Sequence, residues 1–262
     1  MVNLTEFFGP LSPLDKLLNG FQPRQGQASM AEEVAYAIKE DQHLVVEAGT
    51  GIGKTFAYLV PAMLSERKVI ISTGTKTLQD QLYHRDLPLI SKAIGRPILT
   101  ALLKGRSNYL CLNRLNLASS NDRYISRDLN LVNQWRHQTI TGDKTELSDV
   151  PETSMVWPPV TSTIDNCLGR KCPDYQECHV MKARKNAQES DLLVINHHLL
   201  FADLTMKEEG FAEFLPDARA MILDEAHQIP DLAAQFFGVS IGNIELDRLC
   251  NELLATIIPL NQ

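Results

Sequence analysis

The sequence predicts an α/β protein: a parallel sheet with helices on both faces, interrupted by a cysteine-bearing insertion. Three observations carry that prediction. Short runs of Val, Ile and Leu alternate with stretches of helical spacing, the pattern of βαβ units. A glycine-rich loop ending in Lys-Thr joins one such run to a second apolar stretch. Four cysteines bracket a polar segment whose composition departs from the rest of the chain.

In chain order, the apolar runs expected to be buried strands are Leu44 to Glu47, Lys68 to Ser72, Ile98 to Leu102, Leu192 to Asn196 and Ala220 to Asp224. Met30, Val34, Ala37 and Ile38 follow i, i+4, i+7, i+8 and predict a helix; Leu78 and Leu82 begin a second helical face. Pro61 falls inside the helix expected after the glycine loop and is predicted to kink or end it. From about residue 119 to 153 the chain is polar, with no clear period, and reads as part of an insertion. Ligands of such a sheet are expected at the carboxyl ends of its strands.

Composition removes several alternatives. With 25 Lys and Arg against 32 Asp and Glu, the net charge of -7 argues against binding nucleic acid by bulk charge, though not against a local basic track. The 14 Gly and 13 Pro in 262 residues exclude a collagen-like or low-complexity chain. Glu6 and Asp15 precede the first lysine, so the amino terminus does not read as a secretory signal. No apolar stretch approaches the roughly 18 residues that span a bilayer. The expectation is therefore a cytoplasmic protein without a membrane partner, whose five cysteines are thiols or metal ligands.

The glycine loop reads Glu47-Ala48-Gly49-Thr50-Gly51-Ile52-Gly53-Lys54-Thr55. Its glycines permit successive backbone N–H groups to point at phosphate oxygens, reinforced by the positive end of the following helix. Residues Ala48 to Thr55 are thus predicted to bind ATP, with Lys54 on the β- and γ-phosphates and Thr55 on Mg²⁺. Ala48 stands where the strict pattern has Gly. The complementary element is Asp224-Glu225-Ala226-His227 at the end of an apolar strand. Asp224 is expected to hold Mg²⁺, Glu225 to deprotonate the water that attacks the γ-phosphate, and His227 to sense that state.

Cys111, Cys167, Cys172 and Cys178 are not spaced as a paired zinc ribbon, and four thiolates suit either Zn²⁺ or an iron–sulfur cluster. Cys250 lies in an apparent amphipathic helix and reads as a packing residue. Lys104, Arg106 and Arg114, with Arg170, Lys171, Lys182, Arg184 and Lys185, form a local basic track around the cysteines. Tyr109 or Trp135 is placed to stack on an unpaired base, the alternative being simple packing within the insertion. Asn196-His197-His198 follows a predicted strand, but adjacent side chains point apart there, so it is not read as a metal pair.

With its phosphate loop, acidic box and cysteines, the chain resembles the superfamily 2 helicases, specifically the iron–sulfur group typified by DinG and XPD. The resemblance implies a RecA-like nucleotide-binding domain, ATP and Mg²⁺ as cofactors, and a [4Fe-4S] cluster on the four cysteines. It makes Phe21 to Gln27 an adenine-reading motif, with Arg24 and Gln27 at the nucleotide. It also places Ser72 and Thr73, and then Lys104, Arg106, Tyr109, Arg170 and Lys171, along the DNA. The implied function is ATP-driven 5′ to 3′ unwinding of single-stranded or forked DNA by a monomer in DNA repair or replication.

The implied layout is residues 1–103 as the first part of the ATP-binding domain, 104–188 as the cluster insertion, 189–229 as the return with the acidic box, and 230–262 as the start of a second insertion. Nothing in the sequence matches the arginine motif of the second motor domain, so these residues are not expected to unwind DNA on their own. The competing reading is a redox-responsive iron–sulfur module that binds DNA and uses its nucleotide loop without hydrolysis.

Overall fold

The computed structural model describes residues 3–18, 21–49, 51–118, 123–208, 214–238 and 242–257. Its centre is a four-stranded parallel sheet, built from β1 (Val69–Thr73), β2 (Thr100–Leu102), β3 (Leu192–Asn196) and β4 (Ala220–Leu223) in the spatial order β2-β3-β1-β4. Val69 pairs with Leu192 on one side and Ala220 on the other. Four of the five expected strands are present, each within a residue or two of its predicted limits.

The helices, in chain order, are α1 (Leu4–Phe7), α2 (Pro13–Leu17), α3 (Gln25–Lys39), α4 (Lys54–Leu64), α5 (Lys76–Gln81), α6 (Leu87–Ile94), α7 (Leu112–Leu117), α8 (Arg123–Trp135), α9 (Trp157–Val160), α10 (His179–Glu189), α11 (His197–Glu208), α12 (Ile229–Phe237) and α13 (Asn243–Ile257). A π-helical turn, Leu82–Asp86, joins α5 to α6. No helix among the described residues is long and apolar enough to cross a membrane.

The near-continuous apolar runs of β1 and β3 are explained by burial on both faces of the sheet. Alternation along each strand divides the core in two. Val69, Ile71, Leu192 and Val194 pack with Ala31 and Val34 of α3 and Leu59 of α4. Ile70, Leu193 and Ile195 face the other way, onto Ala187 of α10 and Leu199 and Leu200 of α11. A third apolar cluster, Leu110, Leu115, Leu129, Val132, Trp135, Val150, Val156, Trp157 and Val160, belongs to the segment carrying the cysteines. The Trp135 and Trp157 rings meet edge to face at 6.2 Å.

Three expectations are corrected. The run Leu44 to Glu47 is extended but pairs with no strand among the described residues, and Val45 is 97% exposed. An apolar run becomes a strand only where a neighbour satisfies its backbone groups. Pro61 does not end α4, which continues to Leu64 with Pro61 buried inside it. The polar stretch after residue 119 contains α8, whose Leu129, Val132 and Trp135 recur every third residue on one buried face.

Candidate active site

The two phosphate-handling elements meet at the carboxyl ends of the strands. Gly53, at φ 85°, turns the loop into α4, so Lys54 and Thr55 occupy the first turn of a helix whose N-terminus favours anions. Gly51 is also left-handed, at φ 81°. Glycine at position 53 is required twice over: its φ disfavours any side chain, and an added Cβ would lie 2.2 Å from Gln27 Nε2. Thr50 lies outside the described residues, while Ala48, Gly49 and Ile52 line the bend between Glu47 and the helix.

Lys54 Nζ donates to the carbonyl of Ala48, 3.2 Å away, curling the side chain over its own loop. One helical turn on, the Tyr58 hydroxyl donates to Asp224 Oδ2 at 3.0 Å. Burial, and then the Asp224 charge, hold that hydroxyl well above the ordinary tyrosine value, so it stays protonated. The Thr55 side chain, on the same turn, partly offsets that shift. The partner of Asp224 is thus Tyr58, a residue that sequence reasoning missed. Its signal was present: an aromatic with a polar end, one turn after the phosphate-binding lysine.

Asp224 closes β4. Burial pushes its carboxyl above the ordinary range, opposed by the bonds from Tyr58 and the Glu225 N–H and by the charge of Lys54. Glu225 follows in the left-handed region at φ 56°, ψ 42°. His227 is exposed, with Nδ1 3.3 Å from Glu225 Oε2. Asp224 therefore lines one cleft with the helix that begins at Lys54 and Thr55.

His197, passed over in the sequence, is fully buried beneath this cleft. Its Nδ1 lies 2.7 Å from Ser72 Oγ and its Nε2 2.8 Å from the Asp224 carbonyl. Desolvation lowers its pKa, which favours the neutral ring.

Several residues sit elsewhere than expected. Gln27 is buried at 3% exposure and donates its amide to the Gly53 carbonyl at 3.0 Å, so it braces the loop; Arg24, just before α3, is exposed. Ser72 and Thr73 are wholly buried: the first bonds His197 and the second the Thr75 carbonyl at 3.2 Å, leaving neither side chain for DNA.

Lys104 is also buried, its ammonium 2.7 Å from both Asp80 and Asp143. Tyr109, buried, accepts a bond from the Lys104 N–H at 3.0 Å. These two residues join the cysteine-bearing segment to the sheet and are not positioned to touch DNA. Arg106 is half-buried, and Arg170 and Lys171 are exposed on a turn between Cys167 and Cys172.

The four cysteines are half-buried thiols. Burial raises the pKa of Cys111, opposed by the bond from the Arg114 N–H, and the charges of Cys178, Cys172 and Cys167 raise it further. Gly169 N–H points at Cys167 Sγ from 3.4 Å. Arg184 lies close enough to feel Cys167 and Cys178 and stands 5.2 Å from the centre of the Phe214 ring. No three His, Cys, Asp or Glu among the described residues are grouped to hold a single metal ion.

This geometry agrees with comparisons to known proteins. Residues 26–122, which include the phosphate loop, match the DEAD/DEAH box helicase family. The chain is 52% identical to the ATP-dependent DNA helicase YoaA of Escherichia coli over 95% of its length, covering 40% of that protein. It is 35% identical to the ATP-dependent helicase DinG of Mycobacterium tuberculosis, covering 39% of it. A similar 35% relates it to the Bacillus subtilis protein named 3'-5' exonuclease DinG, of which it covers 25%. The chain thus spans less than half the length of these relatives. The acidic box at 224–227 lies beyond the matched residues, and the Tyr58–Asp224 bond joins it to the helix that follows the loop.

Proposed function

We propose that this chain is the ATP-binding and cysteine-bearing part of an ATP-driven DNA helicase, with residues 1–103 and 189–229 forming the nucleotide domain. Residues 104–188 are the insertion in this reading, and 230–262 the start of a second one. The observation that carries the reading is the bond between Tyr58 on the phosphate-loop helix and Asp224 in the acidic box. It sets Asp224, the candidate Mg²⁺ ligand, beside the helix that begins at the phosphate-binding lysine.

When nucleotide enters, Lys54 exchanges the Ala48 carbonyl for phosphate oxygens, a stronger charge-assisted partner. Loop N–H groups and the first turn of α4 hold the phosphates, and Arg24 lies on the adenine side. Thr55 and Asp224 supply hard oxygen donors suited to Mg²⁺, which offsets the charge of the phosphates. Glu225 accepts the proton of the attacking water and His227 follows its charge. DNA as the substrate is supported by the names of the relatives, and the 5′ to 3′ direction and the role in repair by the family resemblance. Arg106, Arg170 and Lys171 are the remaining side chains for phosphate contacts.

The test is DNA-stimulated phosphate release by the full-length protein. Lys54→Ala is expected to lower it roughly 10²-fold, as loss of one aligned charge-stabilising donor does. Undiminished release would remove this loop from the reaction.

The iron–sulfur cluster on Cys111, Cys167, Cys172 and Cys178 is carried by the family resemblance and by the softness of four thiolate donors, with the Gly169 N–H aimed at Cys167 Sγ. A [4Fe-4S] cluster there would tie the turn bearing Arg170 and Lys171 to Cys111. Anaerobically prepared protein is expected to contain iron and acid-labile sulfide, and Cys111→Ser to lose both; stoichiometric zinc without iron would refute the assignment.

A further inference from the structure

Asn196 and His197 link β3 to α11, and Asn196 fixes the junction by accepting the Leu199 N–H at 2.9 Å. His197 is thereby held between the end of β1 and the end of β4. A carbonyl oxygen can only accept, so the 2.8 Å contact with the Asp224 carbonyl places the ring proton on Nε2. In the neutral ring Nδ1 then accepts from the Ser72 hydroxyl.

The gripped carbonyl belongs to the Asp224–Glu225 peptide. The N–H of that same peptide donates to Asp224 Oδ1 at 3.1 Å. Both polar ends of one peptide unit are thus tied down, immediately before a glutamate in the left-handed region. Residues other than glycine hold that conformation only where their surroundings over-determine it.

We propose that His197 is a positioning residue for Glu225: its Nε2–H pins the Asp224–Glu225 peptide and keeps the Glu225 carboxylate aimed into the nucleotide cleft. The Asp224 carbonyl fixes the ring proton on Nε2, and the Ser72 hydroxyl then donates to Nδ1. A residue at the end of β1 is in this way linked to the catalytic base without touching nucleotide. This rests on the reading of the cleft as an ATP-hydrolysing site.

Two variants of the full-length protein separate aim from bulk. The amide nitrogen of His197→Gln reaches the place of Nε2, whereas that of His197→Asn reaches only the place of Nδ1. His197→Asn is expected to lower kcat for DNA-stimulated ATP hydrolysis roughly 10- to 100-fold, the usual cost of a lost supporting bond in such a site. KM for ATP and the affinity for a fluorescent ADP analogue should stay within about twofold, since no ground-state contact is removed. His197→Gln should recover most of kcat. Wild-type kcat in His197→Asn, or equal losses of kcat and ADP affinity in both variants, would overturn the positioning role. An inactive wild type that also fails to bind nucleotide would instead overturn the reading of the cleft.

Discussion

Glu225→Gln in the full-length protein is expected to reduce ATP turnover by roughly 10²- to 10⁴-fold, the contribution of a positioned general base. The substitution keeps the side chain's length and removes only its ability to take a proton. Among the described residues Glu225 pairs only with the exposed His227, so the fold should be unaffected. Asp224, Thr55 and Lys54 remain in place, so nucleotide should still bind and a single-turnover experiment should show bound but unhydrolysed ATP. Normal turnover would transfer the base role to another group.

Lys104→Met is expected to destabilise the protein by about 3 kcal/mol, because it leaves the buried Asp143 carboxylate without its cation. The Lys104 side chain is 0% exposed and Asp143 only 9%, so solvent cannot replace the partner Asp143 loses, whereas Asp80 is 28% exposed and is partly rehydrated. For a domain of this size the loss corresponds to a fall in Tm of about 10 °C. Adding Asp143→Asn and Asp80→Asn should restore part of it, because contacting residues are energetically coupled. A DNA-contacting lysine would behave otherwise: its removal would weaken DNA binding and leave Tm unchanged.

Local chemistry was legible in the sequence, and partnerships across the chain were not. Gly51, Gly53, Lys54 and Thr55 announce a phosphate loop because the bend and the cations must be contiguous. β1 and β3 were legible because burial on both faces writes an unbroken apolar run. Leu44 to Glu47 has the same signature, yet whether such a run pairs depends on a neighbour that its own residues do not reveal.

Lys104 was misread for a related reason. Among other cations it resembles a phosphate contact, and its acidic partners lie on α5 and beyond Gly142 in the insertion. Ser72, Thr73 and Tyr109 were given to DNA by the resemblance, but their burial follows from packing that no short motif encodes. His197 went unused because its two partners lie on different strands. The buried face of α8 was hidden by the polar residues around Leu129 and Val132.

The central claim is that the phosphate loop and the acidic box form one Mg²⁺-dependent nucleotide site. Calorimetric titration of the full-length protein with a non-hydrolysable ATP analogue, with and without Mg²⁺, tests it most directly. The account predicts Mg²⁺-strengthened binding that Lys54→Ala and Asp224→Asn each weaken by at least about tenfold, or about 1.4 kcal/mol. Equal affinity in all three proteins, indifferent to Mg²⁺, would contradict it.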